Sequence, residues 1–300
     1  MNRLGDAFRW LQARLNIQLT PVRPEREFWR LFASGGRTLE GPPATLMNAA
    51  ASATDLLIVL TTYNRPDSCG RSLGALPELI ANAGRPLRVQ VVVAKDAEGA
   101  PYTTVEAAAR ASLGDRLSWL EARARLGKQG FWKTYQVLFQ AARQLRPAHL
   151  LFLQDDLEFA PTLLAECYRR FAALEPGEGP RVLYLFAGED DESHGRWIRF
   201  ERRQVSPEAR LTRWFDLQAF FLNRAVLELL RYRMFPVFES RWRKRPHSSG
   251  VGKQLTRRLF GRANVYQAVP SLVFHGAHES EMNPDARAAR RLDNRPGPVS

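Results

Sequence analysis

The chain has 300 residues, 45% of them hydrophobic, with a formal net charge of +13, which is enough apolar sequence for one large or two small domains. Two cysteines far apart, Cys69 and Cys167, exclude a disulfide framework and a Cys-rich zinc site, and fit reduced thiols in the cytoplasm. No run of ~18 apolar residues predicts a membrane-spanning helix, the N-terminus lacks the apolar core of a signal peptide, and no zinc-finger spacing or RNP-like motif points to nucleic acid.

Residues 1–52 read as an N-terminal helical extension. Leu4, Phe8, Leu11 and Leu15 fall at helical spacing with Arg3, Arg9 and Arg14 between them, so the face either packs on the main domain or lies on a membrane interface. Gly35-Gly36 and Gly41-Pro42-Pro43 mark a loop. The first strong strand is Leu56-Leu57-Ile58-Val59-Leu60-Thr61-Thr62, a continuous apolar run of the kind a parallel strand buried on both faces requires. Tyr63-Asn64-Arg65-Pro66 breaks it, and residues 67–79 read as a helix.

A second strand over 89–94 runs into the polar loop after Asp96. A helix around 105–112, a short strand near 117–120 and a long helix over 131–145 follow, then the strand His149-Leu150-Leu151-Phe152-Leu153. Proline-initiated helix character begins at Pro161. This alternation predicts a doubly wound α/β sheet, whose ligands gather at the carboxyl ends of the strands. Further strands are expected over 182–186 and 215–222, and helices over 225–233 and 252–260. Residues 284–300, rich in Arg, Pro and Ala, read as a flexible tail.

Residues 196–262 hold 17 Lys/Arg against 5 Asp/Glu, so most of the positive charge lies in the C-terminal third. This is either a solvated basic face or a surface for anionic lipid, phosphate or an acidic acceptor.

Four strand-end segments carry the chemistry. Thr62, Tyr63 and Arg65 form a turn suited to a nucleotide base and ribose. Asp96 offers a carboxylate to a base or sugar. Gly127-Lys128-Gln129-Gly130 precedes a helix, with glycines for close backbone approach and Lys128 for a phosphate. Gln154-Asp155-Asp156 ends a buried strand in paired carboxylates, an arrangement that repels itself unless a cation binds, which points to Mg2+ or Mn2+ bridging a diphosphate.

With these residues the chain resembles the inverting glycosyltransferases of the GT-A fold over roughly residues 54–283. Thr62-Tyr63-Asn64-Arg65-Pro66 looks like the opening of family-2-type members. Leu153-Gln154-Asp155-Asp156-Leu157-Glu158-Phe159-Ala160-Pro161 looks like the Glu-Asp-Asp metal motif of the mannosyl-glycoprotein N-acetylglucosaminyltransferases, with Gln154 where those enzymes have Glu. The resemblance implies an α/β fold of the GT-A, Rossmann-like kind, a mixed, mainly parallel sheet flanked by helices. It divides the chain into a glycosyltransferase domain over 53–283, with a nucleotide-sugar half (53–187) and an acceptor half (188–283), beside the extension and the tail. It implies Asp156 as direct metal ligand, Asp155 and Gln154 as donor-site support, and His275, in Pro270-Ser271-Leu272-Val273-Phe274-His275, as a late histidine reaching the metal or diphosphate. His278 and Ser280 either help close that loop or only stabilise it.

Inversion requires a carboxylate base for the acceptor hydroxyl. Glu239 lies near the position where relatives place theirs; Asp216 and Glu189-Asp190-Asp191 are the alternatives. Trp214, Phe215, Phe220 and Phe221 are core or a sugar platform, and Trp197 and Trp242 sit among arginines. The expected activity is hexosyl or N-acetylhexosaminyl transfer from a nucleotide sugar, a UDP-sugar, to a glycan or lipid-linked acceptor in envelope polysaccharide synthesis, at the inner face of an anionic membrane. An inactive glycan-binding or scaffold domain is the alternative. A nucleotidyltransferase is disfavoured by Tyr63-Asn64-Arg65-Pro66, where a Gly-rich loop would be needed.

Overall fold

A computed structural model describes residues 24–50, 53–97, 99–174, 179–186, 203–212, 217–237 and 250–275. The expected helix within residues 1–23 and the tail over 284–300 lie outside the described residues. In chain order the elements are α1 (Glu25–Trp29), β1 (Phe32–Ser34), β2 (Arg37–Thr38), α2 (Ala44–Ala50), β3 (Leu56–Thr62), α3 (Pro66–Ala81), β4 (Val89–Lys95), α4 (Thr103–Leu113), β5 (Leu117–Ala122), α5 (Gly127–Leu145) and β6 (His149–Gln154). They continue with β7 (Leu157–Phe159), α6 (Leu163–Ala173), β8 (Arg181–Tyr184), β9 (Arg203–Ser206), β10 (Ala209–Thr212), β11 (Ala219–Asn223), α7 (Arg224–Leu229), α8 (Val251–Leu259), β12 (Asn264–Ala268) and β13 (Val273–His275).

All seven residues of β3 are buried, and it pairs in parallel with β4 on one side and β6 on the other. The register sets Thr62 beside Lys95 and Thr61 beside Gln154, so the polar ends of three strands finish level. β5 continues the parallel block beyond β4. On the other side β11 runs antiparallel to both β6 and β8, and β8 and β12 are again parallel. The order β2-β1-β5-β4-β3-β6-β11-β8-β12-β10-β9 makes one mixed sheet, of 11 strands among the described residues.

Period-two alternation divides the strand side chains between two cores. Leu57, Val59, Leu150 and Phe152 face α1, α2, α5, α7 and α8. Leu56, Ile58, Leu60, Leu151 and Leu153 face α3, α4 and α6. Each buried aliphatic contributes about 1.5–3 kcal/mol. The architecture is therefore a mixed α/β sheet flanked by helices, as the resemblance implies.

Residues 24–50, read from sequence as part of an extension, are built into this sheet. Phe32, fully buried, pairs opposite Ala122, so the β1–β2 hairpin extends the β5 edge, while Trp29 and Leu46 enter the core. The β9–β10 hairpin is a further element that the basic composition of its segment concealed. No helix among the described residues is long and apolar enough to cross a membrane.

Candidate active site

The turn after β3 is held in shape by its own polar side chains. Asn64 takes a left-handed φ of 54°, a conformation Asn tolerates better than most residues, and its Oδ1 accepts the Ala100 N–H at 2.9 Å. Gly99 approaches so closely that a Cβ there would lie 2.8 Å from Asn64 Oδ1. Pro66 then opens α3. The Arg65 N–H donates to the Tyr102 hydroxyl at 2.7 Å, and the Arg65 side chain reaches the end of β6.

There it meets the paired carboxylates. Arg65 Nη1 lies 2.9 Å from Asp156 Oδ2 and 3.8 Å from Asp155 Oδ1. Thr62 Oγ1 donates to Asp155 Oδ2 at 2.7 Å, with the Tyr63 N–H at 3.4 Å from the same oxygen. Because the Thr62 proton is committed to Asp155, the Tyr102 hydroxyl donates to Thr62 Oγ1 across 2.7 Å. A directed chain thus runs from the Arg65 amide through Tyr102 and Thr62 to Asp155. Burial, and then the neighbouring Asp156 charge, push the Asp155 carboxyl upward against these hydrogen bonds.

Gly127-Lys128-Gln129-Gly130 does not precede the helix; it is the first turn of α5. The physical reason is Asp96. Its Oδ1 accepts the N–H groups of Ala97 and Leu126 at 2.8 and 2.7 Å, and its Oδ2 accepts that of Gly127 at 2.7 Å. A carboxylate at the positive end of a helix starts it four residues earlier than apolar periodicity indicates. The two glycines have internal duties: Gly127 has a φ of 51°, and a Cβ on Gly130 would lie 2.7 Å from Leu126 Cβ. Burial lowers the Lys128 ammonium pKa.

These pieces line one cleft of about 190 Å3, which includes Thr62, Tyr63, Arg65, Asp96, Lys128, Gln154, Asp155 and Asp156. The donor-site residues proposed from sequence therefore converge. The cleft also includes Arg125, Phe131 and Thr134, which sequence reasoning missed. Arg125 stacks over the Tyr63 ring at 5.1 Å; it follows the carboxyl end of β5, so the strand-end rule that found Asp96 also reaches it. Tyr102 had no such signal, since its partners Thr62 and Arg65 lie about 40 residues earlier in the chain.

β13 pairs antiparallel with β7 in the register His275↔Leu157, so the His275 backbone lies across from the residue that follows Asp156. Among the described residues no three His, Cys, Asp or Glu side chains converge on one point. The donor set nevertheless fits a hard divalent cation: carboxylate oxygens from Asp155 and Asp156, with the Gln154 amide in the same cleft. The Arg65 guanidinium is the group such a cation would exchange with. Glu239, Asp216, Glu189-Asp190-Asp191, Trp197, Trp214, Phe215, Trp242, His278 and Ser280 lie outside the described residues. Phe220 and Phe221 are core, on opposite faces of β11.

The fold and the cleft together define a mixed α/β protein with a cleft that holds charged side chains at the carboxyl ends of its parallel strands. No protein-family model matches the chain, and no curated protein matches it. Among solved structures it is similar to residues 1–349 of S. aureus TarS, at 15% identity and a TM-score of 0.49, covering 74% of this chain and 60% of that one. It is also similar to the mannosyltransferase PcManGT of Pyrobaculum calidifontis, solved with GDP-Man and Mn2+, at 17% identity and a TM-score of 0.45, covering 88% and 64%. A mycobacterial protein gives 14% identity and a TM-score of 0.45, covering 89% and 80%. The chain thus spans less than two thirds of the length of the first two.

Proposed function

We propose that the chain is an inverting, metal-dependent GT-A glycosyltransferase that moves a sugar from a nucleotide-sugar donor, a UDP-sugar, to a glycan or lipid-linked acceptor. Its place is envelope polysaccharide assembly at the cytoplasmic face of a membrane, with residues 53–187 binding the donor and 188–283 the acceptor. The observation that carries this reading is the meeting of Tyr63, Asp96, Lys128 and the Asp155–Asp156 pair in one cleft, from four separate strand ends and turns.

In this reading Tyr63, backed by Arg125, packs against the base, and the remaining lone pair of Asp96 is directed at the nucleoside. Lys128, desolvated at the first turn of α5, and Arg65, released from Asp156, meet the diphosphate. Asp156 and His275 would hold Mn2+ or Mg2+, with Asp155 and Gln154 in support, and the cation would supply positive charge to the departing diphosphate. Glu239 takes the proton of the acceptor hydroxyl as its oxygen attacks the anomeric carbon opposite the leaving group, whose oxygen keeps the electrons of the broken bond. Asp216 shapes the acceptor side.

The test is incubation with a panel of nucleotide sugars and Mn2+, scoring donor hydrolysis and nucleotide binding. Binding of a nucleoside diphosphate that needs Mn2+ and is lost in Asp156→Ala supports the proposal, and metal-independent binding unchanged in that variant rejects the site. Glu239→Gln is expected to bind donor but not transfer. Retained transfer moves the base to Asp216, and donor binding by the native chain without turnover of any donor and acceptor marks the inactive glycan-binding domain.

A further inference from the structure

β13 is three residues long and pairs with the three residues of β7 in a sheet apart from the main one. A two-stranded ladder that short does not hold its place unaided. Its register matters, because a slip of one residue would move the His275 backbone about 3.3 Å along β7 and exchange the two faces of the strand. Metal–ligand distances tolerate only about 0.2 Å.

Three anchors fix the chain where it passes from β12 to β13. Val273 is fully buried and shares a core with Leu163, Leu164 and Cys167 of α6. The Leu272 N–H donates to the Leu185 carbonyl at 2.8 Å. The third anchor is Arg170 of α6, whose side chain is only 7% exposed. Its Nη1 donates to the Pro270 and Val269 carbonyls at 3.1 and 3.2 Å, and reaches that of Glu208, between β9 and β10, at 3.5 Å. Its Nε donates to Glu166 Oε2, one turn earlier on α6, at 3.2 Å, which fixes the plane of the guanidinium. The Val269 N–H donates in turn to the Glu208 carbonyl at 2.9 Å. One carboxylate and three carbonyls thus offset the cost of burying this cation. The two carbonyls nearest to it belong to the residues from which the chain leaves β12 for β13.

We propose that Arg170 is a positioning residue for the cation site: by holding the Val269 and Pro270 carbonyls it sets where β13 starts, and so which residue stands across from Leu157. The inference rests on the assignment of His275 as a cation ligand. Arg170 itself lies outside the strand-end cleft and acts only through the strand.

The test follows the EPR signal of free Mn2+ as the metal alone is titrated into the full chain. Arg170→Met is compared with His275→Ala and with the double variant. Two controls are Arg169→Met, which removes exposed ion pairs of the same helix, and Leu46→Ala, which opens the core on the opposite side of the sheet. Arg170→Met is expected to weaken Mn2+ binding about tenfold or more, and Arg170→Lys, which keeps the charge but reaches fewer carbonyls, by less. Both controls are expected to bind Mn2+ as the native chain does, whatever their melting temperatures. In the His275→Ala background the Arg170 substitution is expected to add no further loss. Amide hydrogen exchange in Arg170→Met is expected to quicken at residues 157–159 and 273–275 and not at 149–154. Should Arg170→Met not fold, Arg170→Lys carries the same comparison. Native Mn2+ affinity in the Arg170 variants beside weakened binding in His275→Ala overturns the inference and leaves the cation reading standing. No Mn2+ binding by the native chain, or native affinity in His275→Ala, rejects that reading and the inference with it. Additive losses in the double variant, or an equal loss in Leu46→Ala, make Arg170 a structural residue only and likewise overturn the inference.

Discussion

Arg65 Nη1 stands 2.9 Å from Asp156 Oδ2 and 3.8 Å from Asp155 Oδ1, so one guanidinium balances two adjacent buried carboxylates. Removing one partner of a buried pair costs about 3 kcal/mol or more, and a divalent cation on Asp156 cannot share that position with a guanidinium. Arg65→Gln is therefore expected to lower the melting temperature and to bind Mn2+ alone about tenfold more tightly, with more thermal stabilisation by Mn2+ than the native chain shows. Calorimetric titration with Mn2+ checks this, and weaker Mn2+ binding in the variant excludes the exchange.

Tyr102 carries a hydroxyl that serves two parts of the site, receiving the Arg65 amide and donating to Thr62. Tyr102→Phe keeps the ring, which packs at 6.1 Å from Trp119, and removes only that link. The expected loss is about 1–2 kcal/mol in urea unfolding, with weaker nucleotide binding as the turn at residues 63–65 loosens. A variant with native stability and native affinity shows that the chain of hydroxyls does not hold the turn.

Asp96 binds three backbone N–H groups, two of them at the start of α5. Asp96→Asn turns one acceptor oxygen into a donor that faces an N–H, and removes negative charge from the helix N-terminus. The expected destabilisation is about 1–2 kcal/mol, with faster amide hydrogen exchange at residues 126–130. Unchanged exchange there assigns the early start of α5 to another cause.

His149 contributes to the acid side of the stability profile. Its pKa falls from 6.5 to about 4 on folding, mainly by burial. As pH drops through this window the unfolded chain takes up a proton that the folded protein refuses, so the His149 contribution is full above 6.5, declines toward 4 and levels off below. That contribution is on the order of 3 kcal/mol, and Asp155, whose carboxyl burial raises to about 7, acts in the opposite direction over the same range. Thermal melts between pH 7 and 4 check it: His149→Phe, which preserves stacking on Phe221, is expected to gain stability relative to the native chain as pH falls from 6.5 to 4, and a parallel pH dependence of the two proteins rejects the assignment.

Much of the cleft was readable one strand at a time. β3 and β6 are apolar runs that stop at polar residues, so Tyr63 and Asp155-Asp156 announced themselves as strand-end groups, and Asp96 followed by the same logic. The start of α5 was not readable, because the carboxylate that begins it lies 30 residues upstream and hydrophobic periodicity begins only at Phe131. Nor was the place of residues 24–50, since β1 is three residues long and its pairing with β5 spans some 90 positions.

What the sequence by itself determined is the central parallel strands, the helices between them and the chemistry at the strand ends, because burial pattern and residue type are local properties. Tertiary structure alone decided how those ends are wired. It set Arg65 against Asp156, routed Tyr102 through Thr62 to Asp155, tied Asp96 to α5, and brought β13 alongside β7 so that His275 stands across from Leu157. Each of these depends on strand register and on hydrogen bonds between distant segments, which no local pattern of residues encodes.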